Sequence, residues 1–229
     1  MKIAIVGAMK EETSLILDKL EDVQLEGKNL YPFHRGFFHD HEILLMVTGI
    51  GKVNGAISTQ RLIDLHRPEL VVMVGVAGAI EKIAIGDTVL VTKVAHHDLE
   101  PGVLLNHPPY LAQDSGEFFP TDPEYLQRAI QAAGDLKLDY RVFTGPVVSG
   151  ETFIEKEGRE EIIKRFSPLA VDMEIAGVAH ACYRSEVPFL ALKSITDTEE
   201  DSGLGVFEEN YKLARENAQN LLLEILKKL

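Results

Sequence analysis

The sequence predicts an α/β protein that forms one domain over residues 1–229, with strands and helices alternating along the chain. Short apolar runs such as Leu70–Val74 are typical of strands that are buried on both faces of a sheet. Other segments repeat apolar residues at spacings of three and four, which is the helical period. Glycine-rich stretches such as Gly49–Gly55 follow strands, at the positions where α/β sheets bind their ligands.

The first predicted elements are a strand, Ile3–Val6, and a helix from Lys10 to about Leu20. A dinucleotide-binding fold carries G-x-G-x-x-G in the turn between such elements, and this pattern is absent. Two carboxylates, Glu11 and Glu12, stand at the helix start instead and would repel a phosphate. First-turn acids also stabilise their own helix. We interpret Glu11 in that way and leave both interpretations open for Glu12.

The next segment predicts a β-hairpin followed by a helix. Two β segments, around Leu30–Phe37 and Ile43–Val47, flank a His-Asp-His sequence at 39–41. We interpret these histidines as turn residues, because no carboxylate or cysteine cluster accompanies them. The turn Thr48–Gly55 lacks the spacing of a phosphate-binding loop and leads into a helix that ends near residue 66.

The middle of the chain predicts strands at Leu70–Val74, Thr88–Thr92 and Val142–Val148. The proline-containing stretch 99–120 has no clear period, and so long a loop in a compact domain is usually functional or partly mobile. The sequence Thr121–Glu124 combines a capping-box pair with an early proline. It predicts a helix that runs to about residue 133.

The stretch Val171–Asp197 carries the strongest indication of a site. Its first half has helical spacing, and an apolar strand follows at Val187–Leu192. Ligands of open α/β sheets bind beyond the carboxyl ends of strands, where Asp197 lies. Glu174, in the first turn of the predicted helix, is a candidate for a second acid in the same crevice. The competing interpretation is that Glu174 complements the helix dipole and Asp197 opens a surface turn.

Apolar residues elsewhere have a structural and a functional interpretation. Phe153 and Ile154 follow the strand that ends near residue 148. They either form a wall against a flat ring or pack under the next helix. The carboxyl-terminal helix has a stripe that docks it on the sheet, formed by Phe207, Tyr211, Ala214, Ala218, Leu221, Ile225 and Leu229.

The composition argues against several classes of function. The formal net charge of −13 argues against nucleic-acid binding, which needs clustered Lys and Arg. No apolar run approaches the ~18 residues that span a bilayer, and the amino terminus is better explained as a strand than as a signal peptide. The single cysteine, Cys182, fits a reducing compartment. We expect a cytoplasmic protein that acts on a small molecule and needs no metal or cofactor.

Six sequence blocks together resemble the nucleoside phosphorylase/hydrolase superfamily and, within it, the bacterial 5'-methylthioadenosine/S-adenosylhomocysteine nucleosidases. The resemblance covers nearly the whole chain, and its blocks are Ile5–Glu12, Gly49–Val53, Gly75–Gly78, Val148–Ile154, Val171–Glu174 and Ser194–Asp197. It implies a single-domain, three-layer α/β/α fold with a mixed central sheet, like that of nucleoside phosphorylases. It also implies a nucleoside substrate and a homodimer.

The resemblance further implies roles for the candidate residues. Asp197 matches the acid that protonates the leaving purine, and Glu12 matches the base that activates a water molecule. Glu174 matches the residue that accepts hydrogen bonds from the ribose hydroxyls. The other matches are to substrate-binding positions, namely Ile50 for the 5' substituent, Met173 for the sugar, Phe153 and Ile154 for the adenine, Gly78 for close approach, and Val76.

The chain departs from the family pattern at four places. Lys193 stands where the family usually has Arg, Thr196 where it has Ser, and Val76 where many members have Ser. Lysine keeps the charge but cannot form a bidentate contact. The largest departure is Leu99–Leu105, which replaces a segment that helps to close the site of the neighbouring subunit. By this resemblance, the departure falls at the 5' side of the pocket and at part of the dimer contact.

The leading functional hypothesis is hydrolysis of 5'-methylthioadenosine and S-adenosylhomocysteine, which releases adenine and the thioribose. A phosphorylase of the same fold would need Arg-lined phosphate contacts, where this chain has Glu11 and Glu12. The sequence also allows a futalosine-type hydrolase or a nucleoside-binding protein without catalysis, although binding alone would not require both Glu12 and Asp197. A homodimer with Pro101–Leu111 and Gly49–Gly55 at its interface is expected.

Overall fold

The computed structural model describes residues 1–27, 31–99, 117–154 and 158–229. Within these ranges the strands form one mixed sheet. Their bounds are β1 Lys2–Gly7, β2 Glu21–Glu26, β3 Phe33–Phe38, β4 His41–Val47, β5 Leu70–Ala79, β6 Thr88–His96, β7 Phe119–Pro120, β8 Val142–Ser149, β9 Ala170–Asp172 and β10 Phe189–Asp197. The helices are α1 Ser14–Leu17, α2 Lys52–His66, α3 Pro123–Gly134, α4 Arg159–Phe166, α5 Ile175–Arg184 and α6 Leu204–Leu226.

Helices cover both faces of the sheet. Successive residues of a strand point to opposite sides of the sheet, and in β1 the residues of both sides pack against helices. Val6 of β1 lies in one core cluster with Leu62 of α2. Its neighbour Ile5 lies in a second cluster with Leu221 of α6. The sheet is therefore the middle layer of an α/β/α arrangement, which confirms the predicted fold class.

The sheet is open at one side and closed on itself at the other. β5 pairs in parallel with β1 and β10, while β10 also pairs antiparallel with β6. Strands β6, β8 and β9 then lead back to β5, so that five strands close a ring. The strands β1, β4, β3 and β2 extend from β5 as an open sheet. The register of β5 and β10 places Asp197 opposite Gly78.

The prediction of one continuous helix from Lys10 to about Leu20 is wrong. Lys10–Glu12 is a single 3-10 turn, and α1 that follows has only four residues. The chain then enters β2, an edge strand that the sequence does not predict. Its first five residues are exposed, so no buried face is present to give the alternating apolar pattern of a half-buried strand.

The helix expected to begin at Val171 begins later. Ala170–Asp172 forms β9, which pairs with β5 and β8, and α5 starts at Ile175. Glu174 is therefore the N-cap residue and does not lie in the first turn. Helical spacing is a local signal, and here the pairing with two neighbouring strands overrides it.

Other boundaries differ in smaller ways. β5 is longer than predicted and continues through the glycine-rich stretch that follows Val74. Asp122, not Thr121, caps α3, since its carboxylate accepts two backbone N–H groups of the first turn. The Thr121 hydroxyl instead donates a hydrogen bond to a backbone carbonyl oxygen of β6. His41, predicted in a turn, is the first residue of β4.

Two further expectations from the sequence concern a membrane span and a subunit interface. Within the described ranges, no helix is long and apolar enough to cross a membrane. The segment Pro101–Leu111, expected at a subunit interface, lies outside the described residues.

Candidate active site

A cavity of about 260 Å³ lies at the carboxyl ends of β5 and β10. This volume is close to the lower end of the range of ~300–1,000 Å³ that is typical of small-molecule pockets. The structure brings together at this cavity all the residues predicted for the site, and these lining residues are Glu12, Ile50, Val76, Gly78, Phe153, Ile154, Met173, Glu174 and Asp197.

Glu12 ends the 3-10 turn after β1, and two backbone groups fix its carboxylate. Oε2 accepts a hydrogen bond from Met9 N–H at 3.0 Å, and Oε1 accepts one from Val76 N–H at 2.9 Å. Burial raises the pKa of Glu12, although the charge of Lys193 and these N–H donors oppose the rise. Gly75 leaves room for the carboxylate, because an added Cβ would lie 2.5 Å from Oε1. Glu12 is thus a fixed, buried carboxyl group and not a solvated charge at a helix end.

Asp197 is the last residue of β10, and its carboxyl group lies over β5. Oδ1 accepts a hydrogen bond from the Thr196 hydroxyl at 2.7 Å. Burial raises the pKa of Asp197 above its ordinary value, against the opposing effects of Thr196 and the Arg159 charge. At Gly78 an added Cβ would lie only 2.9 Å from Oδ2, so a side chain there would displace the carboxyl group. A raised pKa allows Asp197 to keep a proton at higher pH than an ordinary aspartic acid.

Glu174 occupies the N-cap position of α5, but its carboxylate does not cap that helix. Oε1 instead accepts the N–H of Gly51 at 3.0 Å, at the start of α2. Burial and the nearby charge of Asp172 raise the pKa of Glu174, while Lys193 opposes the rise. The structure thus places Glu174 between two helix starts, with its side chain at the cavity.

A buried ion pair between Lys193 and Asp172 accompanies these acids, and the sequence analysis does not predict it. Lys193 Nζ lies 2.7 Å from Asp172 Oδ2, and the two side chains are 0% and 2% exposed. Asp172 also accepts the Ser149 hydroxyl at 2.5 Å. Burial acts to lower the pKa of Lys193, but the charges of Asp172, Glu12 and Glu174 raise it overall. A lone lysine within an apolar strand was the signal available in the sequence.

Apolar side chains form another part of the cavity wall. Phe153 is 39% exposed and meets Phe207 of α6 edge to face, with ring centroids 6.4 Å apart. Ile154 lines the cavity and also packs against the core cluster that contains Phe166, so both interpretations of this pair apply. Phe207 lines the cavity as well, which its place in the helix stripe did not indicate.

The chemistry available at this cavity is proton transfer beside an apolar surface. Three carboxyl groups with raised pKa values, Glu12, Glu174 and Asp197, face it from different parts of the chain. Among the lining residues in the described ranges there is no Lys or Arg to hold a phosphate. Lys193 lies close by, but it is paired with Asp172.

Comparison with known proteins assigns the chain to a family. The model of the phosphorylase superfamily matches residues 2–227. A 5'-methylthioadenosine/S-adenosylhomocysteine nucleosidase of Bacillus cytotoxicus is 32% identical over 232 residues, which cover 100% of both chains. The solved structure of such a nucleosidase from Neisseria meningitidis, in complex with methylthio-immucillin-A, has a TM-score of 0.91 and 30% identity, and covers 100% of this chain and 99% of that one.

A further solved structure belongs to a related enzyme. The futalosine hydrolase of Helicobacter pylori has a TM-score of 0.89 and 28% identity, and covers 100% of this chain and 98% of that one. The full-length match to the Bacillus cytotoxicus 5'-methylthioadenosine/S-adenosylhomocysteine nucleosidase is above 30% identity. The chain therefore belongs to the phosphorylase superfamily and, within it, to the 5'-methylthioadenosine/S-adenosylhomocysteine nucleosidases.

Proposed function

We propose that this protein hydrolyses the N-glycosidic bond of 5'-methylthioadenosine and S-adenosylhomocysteine, releasing adenine and the thioribose. The observation that carries the proposal is the pair of buried carboxyl groups, Glu12 and Asp197, at a cavity with an apolar wall. Family membership supports the substrate class. We include in the proposal that residues 1–229 act as one domain, in the cytoplasm and without a cofactor.

Asp197 is the proposed general acid. Cleavage of the bond between C1' and N9 leaves the electron pair on adenine, and a proton delivered to purine N7 neutralises it. A donor must hold its proton near neutral pH, and burial raises the pKa of Asp197 in the required direction. Because Gly78 has no side chain, the carboxyl group of Asp197 has room at the end of β10.

Glu12 is the proposed general base. As water forms its bond to C1', one of its protons must leave, and an ionised carboxylate accepts it. The Met9 and Val76 N–H groups and the charge of Lys193 favour this ionised form against burial. Lys193 then balances the negative charge without entering the reaction.

The remaining predicted residues are proposed to bind the substrate. Glu174 would accept hydrogen bonds from the ribose hydroxyls, with Met173 against the sugar. Phe153 and Ile154 would hold the adenine, since a half-exposed ring beside an apolar neighbour offers a stacking surface. The other proposed contacts are made by Ile50, Val76 and Gly78.

Product analysis distinguishes this proposal from the competing activities. Purified protein is incubated with methylthioadenosine, adenosylhomocysteine, inosine and futalosine, each with and without phosphate. We expect adenine and free thioribose from the first two substrates, at rates that do not depend on phosphate. A sugar 1-phosphate as the main product would identify a phosphorylase, and preferential cleavage of futalosine would favour the function of the Helicobacter pylori neighbour.

The substitution Glu12→Gln tests the proposed base. A glutamine has the same shape but cannot accept the proton, so kcat should fall by roughly 10²–10⁴-fold while substrate still binds. One of the N–H groups of Met9 and Val76 also loses its acceptor. Binding of methylthioadenosine by calorimetry is the control, and near-native turnover would remove Glu12 from the mechanism.

We further propose that the protein is a homodimer. Val53 and Ile57 lie one turn apart on α2 and are 65% and 48% exposed, and Ile50, 53% exposed, precedes them at the cavity. Exposed apolar surface of this kind marks contact sites, and a second subunit here would cover the edge of the cavity. Light scattering at micromolar concentration should give twice the mass of the chain, and Val53→Lys should weaken the association. A monomer would contradict the proposal.

A further inference from the structure

A glutamine of the carboxyl-terminal helix contacts the segment that carries Glu12. Gln219 of α6 is fully buried. Its Oε1 accepts the N–H of Leu15 at 2.8 Å, and its Nε2 donates to the carbonyl oxygen of Glu11 at 3.0 Å. One side-chain amide thus binds backbone groups on both sides of Glu12, across more than 200 residues of sequence.

The contacted segment has little stability of its own. Lys10–Glu12 is one 3-10 turn, and Ser14–Leu17 is a helix of four residues. Such short helices are marginal in isolation, because few hydrogen bonds offset the loss of chain entropy. Within the described residues, neither N-cap residue, Met9 or Thr13, caps its element with its own side chain, although the Glu12 carboxylate accepts a hydrogen bond from the N–H of Met9. Two local hydrogen bonds, from the Thr13 and Ser14 hydroxyls to the carbonyl oxygens of Lys10 and Glu11, support the segment. For the rest, its position depends on tertiary contacts.

A second side chain of α6 reinforces the same point. Arg215 lies one helical turn before Gln219 and donates from Nη1 to the carbonyl oxygen of Glu11 at 3.1 Å. Gln219 Nε2 also donates to the carbonyl oxygen of Arg215 at 3.0 Å, which links the two contacts. The Glu11 carbonyl, adjacent to the proposed base, is thus held by two donors from one helix.

We propose that Gln219 is a positioning residue for the hydrolysis proposed above, and that it fixes the Glu11–Leu15 segment so that the Glu12 carboxylate keeps its backbone N–H partners. The inference rests on the proposed function for its effect on rate. The hydrogen bonds that would be lost if the segment moved are those from Met9 and Val76 to Glu12. The bond from Val76 needs Glu12 to stay beside β5, whereas Met9 lies at the start of the same turn as Glu12.

The substitution Gln219→Met tests this inference, because methionine has a similar size but neither donates nor accepts comparable hydrogen bonds. We expect kcat to fall roughly 10-fold to 100-fold, as for a small misplacement of a catalytic group. KM for methylthioadenosine should change less than kcat, since Phe153 and Met173 lie in the segments that follow β8 and β9, away from the Glu11–Leu15 segment. The matched control is Asn217→Leu, which removes a 2.8 Å hydrogen bond between α6 and the Gly86 carbonyl.

The pH profile separates positioning from general stability. Among the described residues, the charged and titratable groups near Glu12 include Lys193 of β10, Glu174 before α5, Tyr211 and Arg215 of α6, and the adjacent Glu11. We expect these groups to stay in place in Gln219→Met. The hydrogen bonds from backbone N–H groups to the Glu12 carboxylate, which oppose the rise in its pKa caused by burial, should become weaker. The pKa of Glu12 should therefore rise, and the acid limb of kcat should move to higher pH. Loss of stability alone would lower the thermal midpoint without moving that limb.

Direct titration of Glu12 keeps the test independent of turnover. The carboxyl ¹³C signal of Glu12, assigned by its loss in Glu12→Gln, should titrate at higher pH in Gln219→Met than in the wild type and in Asn217→Leu. An unchanged titration would overturn the inference even if the wild type did not hydrolyse the substrates. If Gln219→Met does not fold, Arg215→Met should show the same shift of the Glu12 titration in weaker form. Arg215→Lys should return the titration to its wild-type position. An unshifted Arg215→Met would also count against the inference.

Discussion

Replacing Lys193 with methionine would leave buried carboxyl groups without their neighbouring cation. The ion pair with Asp172 has an N–O distance of 2.7 Å, and both side chains are almost completely buried. Removing one partner of a buried pair costs about 3–5 kcal/mol, because the other charge stays desolvated and uncompensated. Methionine has a similar volume, so a cavity adds little to this value. We therefore expect Lys193→Met to lose about 3–5 kcal/mol of unfolding free energy at about pH 8.

The loss should depend on pH in a defined direction. Burial already raises the pKa values of Glu12 and Glu174, and Lys193 opposes the rise in both. Without Lys193 both values should rise further. A carboxyl group whose pKa is higher in the folded than in the unfolded chain destabilises the fold as pH increases above the unfolded value of about 4. The loss in Lys193→Met should therefore be smaller at about pH 5.5, where these groups take up protons, than at about pH 8.

Equilibrium urea unfolding at fixed protein concentration, at both pH values, measures this difference. The matched control is Lys227→Met, which breaks a surface pair with Glu224 whose side chains are 39% and 41% exposed. Such pairs contribute about 0–1 kcal/mol. A loss below about 1 kcal/mol for Lys193→Met at the higher pH, or an equal loss at both pH values, would refute the reasoning.

Three other predictions concern the acid end of the cavity. Asp197→Asn should fold normally and lose roughly 10²–10⁴-fold in kcat, measured by adenine release; near-native turnover would exclude it as the acid. Thr196→Val removes a hydrogen bond that lowers the pKa of Asp197, so the alkaline limb of the rate profile should move to higher pH; an unmoved limb would contradict this. Gly78→Ala places Cβ 2.9 Å from the Asp197 carboxyl and should lower kcat roughly tenfold. Its control, Gly134→Ala, meets no atom within 4 Å and should keep full activity.

The residues proposed for chemistry could be predicted from the sequence because each lies within a local pattern. Asp197 follows an apolar strand, Glu12 follows a strand and a glycine, and Phe153 follows another strand end. The carboxyl ends of strands meet at one edge of a sheet, so these positions could be expected to converge before any contact was known. The resemblance to a family added their roles, and these stay predictions until the variants are measured.

Contacts between distant parts of the chain were decided only by the tertiary structure. The pairing of β9 with β5 and β8 shortens α5 and turns Glu174 into its N-cap residue. The ion pair of Lys193 with Asp172 and the hydrogen bonds of Gln219 with Glu11 and Leu15 join segments that no local pattern connects. A periodic pattern reports which face of an element is buried, but it does not report which polar partner the fold brings to that face. Buried polar groups need such partners, and the closed ring of strands and the docking of α6 supply them here.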